Sequence, residues 1–168
     1  MISDVWSYDY GGNGIYCDVG IQQRIEENIV HNTRSASFNQ SQGRDSVIRH
    51  NLFADAAEGN MRVLHRQMTR AGFFTDNLIV QGEGAAPFWR GAGAVTVGGD
   101  RNVYLKATGG LARFAGGSWE EWQAAGRDRR GRVALAGLLD IAGLVPAMVQ
   151  SAAAQIAGST PTARTAAD

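Results

Sequence analysis

A carboxylate, a guanidinium and an imidazole stand at related offsets in this chain: Asp18, Arg62 and His65. Together they could move a proton and hold an anionic group, while Tyr16, Asn39, Ser41 and Arg66 beside them could contact sugar rings and hydroxyls. The offsets are what join them. In Gly14-Ile15-Tyr16-Cys17-Asp18, alternation turns Ile15 and Cys17 inward and Tyr16 and Asp18 outward. Adding 23 gives Asn39 and Ser41, and one interval further lies Arg62, with His65 and Arg66 just beyond. Asp18, Arg62 and His65 are therefore the candidate catalytic groups, and Tyr16, Asn39, Ser41 and Arg66 the candidate substrate contacts. Asp18 equally suits a turn-capping carboxylate ahead of Gly20. It is also the one carboxylate in the set, whereas glycoside hydrolysis ordinarily uses two. Asp9 and Glu58 lie in flanking segments from which the spacing does not require an approach. Trp6, Tyr8 and Tyr10 either pack a loop or offer faces on which a sugar stacks.

The interval that aligns these residues comes from a repeat. Asn28-Ile29-Val30, Asn51-Leu52-Phe53, Asn77-Leu78-Ile79 and Asn102-Val103-Tyr104 follow one another at 23, 26 and 25 residues. A unit this short cannot bury its own apolar face, so the units must stack. Their apolar stretches are short, β-branched or aromatic, and bounded by Gly, Asn and Asp, which makes them strands. A leucine-rich repeat would need a Leu-x-x-Leu-x-Leu run before each Asn, and none is present. The expected fold is all-β, a right-handed parallel β-helix of about four to five coils, with Ile29, Leu52, Leu78 and Val103 in one buried column. Each Asn is read as a corner residue at φ > 0 whose amide bonds along the stack as a ladder. His31 and His50 are read as corner residues too.

Residues 1–13 are expected to form an aromatic, Gly-rich loop entering the first coil, and 14–110 the coils. A strand and a short capped helix should follow over 111–131. In that helix Ser118 and Glu121 make a capping box, Gly126 is the stop, and Trp119 and Trp122 share a face on the solenoid flank. Residues 132–157 are rich in Ala and Leu and read as helical, and 158–168 as a disordered tail. Asp140 and Pro146 break the apolar run, so no membrane span is expected. Sixteen basic against sixteen acidic residues give no net charge, and neither nucleic acid nor a membrane surface is an expected partner. The lone Cys17 excludes an internal disulfide. No zinc-ligand spacing, phosphate loop or nucleophile elbow is present, so no metal or other cofactor is expected from the residues. Superposing Met1 on Ile29 starts the chain inside a coil, and an uncapped amino-terminal coil would expose edges through which copies self-associate.

The run Asp4-Val5-Trp6-Ser7-Tyr8-Asp9-Tyr10-Gly11-Gly12-Asn13-Gly14-Ile15-Tyr16, the Glu27-Asn28-Ile29-Val30 corner and the Phe114-to-Ala124 module together resemble bacterial right-handed parallel β-helix proteins of the pectate-lyase-like superfamily. The resemblance covers about residues 1–130 and implies a C-terminal fragment of a longer, carbohydrate-active protein related to polysaccharide lyases or glycoside hydrolases. It implies a polysaccharide or oligosaccharide partner and a periplasmic or extracellular location, although the amino terminus carries no export signal pattern. Calcium enters by analogy with the fold alone. Against the family pattern, Asp18-Val19 stands for Asp-Glu, and Asn39-Gln40-Ser41 for His-Gln-His. Gln40 is thereby a substrate contact implied by the resemblance. Losing one carboxylate and two imidazoles removes acid-base capacity worth about 10²–10⁴-fold in rate. The alternative expectation is a glycan-binding or purely structural β-helix without catalysis.

Overall fold

The computed structural model describes residues 2–3, 12–64, 72–82, 86–91, 97–106, 112–115 and 117–135. Trp6, Tyr8, Tyr10, His65, Arg66 and the chain after Leu135 lie outside the described residues. Fourteen short strands and one helix follow in order: β1 Ile2–Ser3, β2 Ile15–Cys17, β3 Arg24–Glu26, β4 Ile29–Thr33, β5 Phe38–Gln40, β6 Ser46–Arg49, β7 Leu52–Ala56, β8 Met61–Val63, β9 Gly72–Thr75, β10 Leu78–Gln81, β11 Trp89–Arg90, β12 Val97–Asp100, β13 Val103–Lys106, α1 Trp119–Ala124 and β14 Arg132–Leu135. They build three sheets, ordered β1-β4-β7-β10-β13-β14, β2-β5-β8-β11 and β3-β6-β9-β12. Each turn gives one strand to each sheet, and the named strands pair in parallel, so the molecule is a β-solenoid of about four turns.

The repeat works through its asparagines. Asn28, Asn51 and Asn77 each donate both backbone N–H and side-chain Nδ2 to the Oδ1 of the next Asn, at 2.9–3.1 Å. Nδ2 of Asn51, Asn77 and Asn102 also donates back to the carbonyls of Ile25, Ile48 and Phe74. The ladder is as the sequence implies, but the asparagines are not the left-handed residues. Their predecessors are: Glu27, His50, Asp76 and Arg101 have φ of 60°, 54°, 56° and 59°. Such backbone costs a non-glycine residue about 1 kcal/mol, and side chains at these corners bond one another, as Arg101 does to Asp76 in a two-pronged ion pair. That contact holds the Asp76 carboxyl below its ordinary pKa. His31, by contrast, is a strand residue of β4 opposite Ala54.

Ile29, Leu52, Leu78 and Val103 do stack in register. They belong to an apolar cluster on one face of the first sheet. On the opposite face, Val30, Phe53, Ile79 and Tyr104 make the interior column. Aromatic contacts run along the interior from Phe38 to Phe74 (5.6 Å), Trp89 (4.8 Å) and Trp122 (5.2 Å). Cys17 faces this core, and burial pushes its thiol up to about 11.

Two corrections concern the C-terminal side. Ser118 and Glu121 form the capping box of α1, but Trp119 and Trp122 do not lie on the solenoid flank. Trp122 packs on Trp89 and Phe114, and Trp119 on Tyr104 and Phe114, all interior residues, so α1 plugs the end of the core. The other correction is that Arg132–Leu135, read as the start of a helix, is strand β14, aligned with β13 from Val103–Arg132 to Lys106–Leu135. An open parallel edge offers this segment a full set of backbone partners, which outweighs the modest helix preference of Ala and Leu. No helix among the described residues is long and apolar enough to cross a membrane.

Candidate functional site

The candidate residues fall on the second sheet, β2-β5-β8-β11. Its inward positions are Ile15, Phe38, Met61 and Trp89 in one column, and Cys17, Gln40 and Val63 in another. Between them runs an outward column of Tyr16, Asn39, Arg62 and Arg90, one from each turn. Asp18 is not in it. Bonds from Ser41 N–H to the Cys17 carbonyl and from Gln42 N–H to the Asp18 carbonyl set Asp18 alongside Ser41, two residues along the same face. Asp18 is exposed, and the Tyr16 hydroxyl lies 3.4 Å from its Oδ1. Tyr16 is 50% exposed and Ser41 half-buried.

Gln40 is corrected from a surface contact to a core residue. It is fully buried at an inward position, and its amide packs where a side chain on Gly43 would stand. Asn39 faces outward yet is 3% exposed, and its Oδ1 has no hydrogen-bond partner among the described residues. The Nε of Arg62, its neighbour in the column, is buried without a hydrogen-bond partner as well.

Glu58, on the turn before β8, organises the basic end of the column. It accepts from Ser35 Oγ at 3.1 Å and Arg90 Nη1 at 2.9 Å, and Arg62 Nη1 lies 3.9 Å away. The turn is held by Gly59 at φ 127°, where an added Cβ would fall 2.8 Å from the Pro87 carbonyl oxygen. Gly91 serves likewise after β11, at φ 79° with the Val63 carbonyl oxygen 2.5 Å from where a Cβ would be. Between these turns opens a hollow of about 300 Å³ lined by Glu58, Pro87, Trp89, Arg90, Arg113 and Ala115.

Arg90 and the hollow were not legible in the sequence. Trp89-Arg90 repeats Met61-Arg62, but 28 residues on instead of 23 to 26, so the interval that finds Asn39 misses Arg90. Among the described residues no group of three or more His, Cys, Asp or Glu is placed to hold a metal ion.

A second polar cluster is buried in the C-terminal end. Asp128, 1% exposed, takes Asn102 Nδ2 (2.6 Å) and N–H (3.4 Å) on Oδ1, and Tyr104 O–H (2.6 Å) and Trp122 Nε1 (3.3 Å) on Oδ2. Trp89 Nε1 donates in turn to the Tyr104 oxygen at 2.9 Å. Burial raises the Asp128 pKa against the pull of these donors, and burial together with the Asp128 charge drives that of Tyr104 well up. Asp128 follows Asn102 by 26 residues, so it is the last rung of the ladder among the described residues, and its missing amide hid it from a search for Asn. No family model, no curated protein and no solved structure matches this chain.

Proposed function

We propose that the outer face of the second sheet binds a segment of acidic polysaccharide laid along the solenoid axis, without cleaving it. The observation that carries this reading is the single outward column of Tyr16, Asn39, Arg62 and Arg90, whose basic end is organised by Glu58. Strand spacing puts successive members about 4.8 Å apart, so a polymer running across the strands meets Tyr16 on one turn and the guanidinium groups of Arg62 and Arg90 two and three strands on, passing over the covered Asn39. An exposed tyrosine ring suits the apolar face of a pyranose, and guanidinium forks suit sugar carboxylates. The hollow beside Arg90 would take one charged residue of the polymer, with Arg90 and Arg113 in its wall.

Binding is favoured over cleavage by the position of the carboxylates. Asp18 sits in the turn level of β2, two strands from that of Arg62, or about 10 Å along the stack. Glu58 is already engaged by Ser35 and Arg90. The reading is a carbohydrate-related one, as the resemblance implies, with the binding role kept and catalysis given up.

Calorimetric titration with oligogalacturonate and with a neutral glucan of equal length tests it. The expected result is salt-sensitive binding of the acidic oligomer alone, weakened at least tenfold in Arg62→Gln and Arg90→Gln. Equal affinity for both sugars, or none for either, would remove the proposal. Release of reducing ends or unsaturated products would replace binding by catalysis.

A further inference from the structure

Arg62 and Arg90 stand directly opposite each other on the neighbouring strands β8 and β11. Like charges in that relation repel and weaken the pairing. The repeat does not demand them, since the same column carries Tyr16 and Asn39 on the two turns before. Glu58 makes the pair tolerable, reaching in from the turn before β8. All its side-chain contacts fall on one oxygen: Oε2 accepts from Ser35 Oγ and Arg90 Nη1 and lies 3.9 Å from Arg62 Nη1. Oε1 has no partner among the described residues. Each guanidinium is thus approached by the carboxylate through one nitrogen only, and the Nε of Arg62 is buried with no partner.

Two opposed guanidiniums with unspent donors, sharing one carboxylate oxygen beside an open hollow, make an anion site with its counter-ion built in. Glu58 is the one acid among the described residues that line the hollow. Its side chain and that of Arg90 are each about half exposed, so a solute can reach both. An anion entering there meets the Glu58 charge, whether it displaces that carboxylate from Nη1 or lies against it. A single isolated carboxylate gains one arginine contact and costs the one Glu58 made, so it gains little. Two carboxylates one strand spacing apart, about 4.8 Å, engage both guanidiniums for one displacement of Glu58.

We infer that Glu58 is a displaceable counter-ion that sets how densely charged a ligand must be to bind. It holds off chains with scattered charges and yields to a polymer with an anionic group on each sugar unit. Glu58 acts through Arg62 and Arg90, as a positioning residue that determines specificity. The inference rests on the reading of this face as a site for acidic polysaccharide and adds the selection within that class.

Glu58→Gln tests it, since glutamine keeps an oxygen to accept from Ser35 and Arg90 but removes the charge. Calorimetric titrations compare oligogalacturonate with every carboxyl free and the same oligomer with alternate carboxyls methyl-esterified. Wild type should favour the fully charged oligomer strongly. The variant should bind the half-esterified oligomer about tenfold more tightly than wild type does, from the loss of two partly exposed charge contacts. A merely structural role for Glu58 would weaken binding of both. A second readout uses no sugar: sulfate, against chloride at equal ionic strength, should raise the melting midpoint of the variant by about 2–4 °C more than that of wild type, by taking the vacated place. If neither oligomer binds either protein while sulfate selectively stabilises the variant, the glycan reading falls and the counter-ion role stands. A variant that binds the half-esterified oligomer no more tightly than a wild type which binds the charged one, or that gains no more from sulfate than wild type, would overturn the inference.

Discussion

Replacing Asp128 by Asn changes one atom of the last rung and should unfold the chain more easily. Oδ1 survives, so Asn102 keeps its acceptor. At the other position an NH₂ replaces an oxygen that receives Trp122 Nε1–H and Tyr104 O–H. The indole can only donate, so it loses its partner outright. The Tyr104 oxygen already accepts from Trp89, and if it also accepts the new amide its own hydrogen has nowhere to go. Two buried donors are orphaned at about 1–3 kcal/mol each, offset in part because a buried charge is removed. The net expectation is a loss of about 1–3 kcal/mol. Urea unfolding followed by tryptophan fluorescence reads it directly, since Trp89 and Trp122 both contact the network. A variant as stable as wild type would show that the second oxygen is dispensable and the account of the cluster wrong.

Three further outcomes follow from the same structure. The Asp128 pKa is raised on folding, so its contribution is fully present below the unfolded-state value and lost as pH rises through the folded one; the stability gap between wild type and Asp128→Asn should therefore widen as pH falls through the carboxylate range, and a narrowing gap in pH-dependent urea titrations would contradict it. Asn77→Ala removes the acceptor of two Asn51 donors and the donor to the Ile48 carbonyl, and should cost about 3 kcal/mol or more in the same assay, against well under 1 kcal/mol for an exposed residue such as Gln42. Gly91→Ala should lose about 1–3 kcal/mol and lower the melting midpoint, since its φ of 79° and the Val63 carbonyl oxygen 2.5 Å from the new Cβ both oppose it; unchanged thermal unfolding would mean the turn relaxes freely.

The solenoid could be read from the asparagines because each must occupy the same rung, and a rung tolerates only a donor-acceptor amide at a nearly constant interval. Superposing Met1 on Ile29 anticipates the pairing of Ile2 with Val30 for the same reason. The capping box of α1 was equally local. What the pattern could not supply was tertiary. The Asn28 group looked like left-handed corners, yet the strain falls one residue earlier, where side-chain pairs such as Asp76 with Arg101 offset it. β14 follows from the open edge of β13, which composition does not encode. At the candidate site, alternation placed Tyr16, Asn39 and Arg62 in one column, but it could not reveal that Asn39 is covered, or that Glu58 reaches Arg90 from a turn 32 residues away.

The hydrogen bonds of the ladder all point one way: each Asn gives to its successor, and Asn51, Asn77 and Asn102 receive from their predecessors, until Asp128 receives and, among the described residues, its side chain gives nothing on. A rung therefore cannot tell which rung it is. Duplicating or excising one whole turn between two asparagines leaves each remaining donor facing an equivalent acceptor, so the number of turns is free to drift in evolution without redesign of the joints. The terminator has no such freedom. Moved inward, its carboxylate would face the next acceptor with no hydrogen to offer, so Asp128 acts as a full stop for the amide ladder among the described residues, while the strands themselves run on past it into β14.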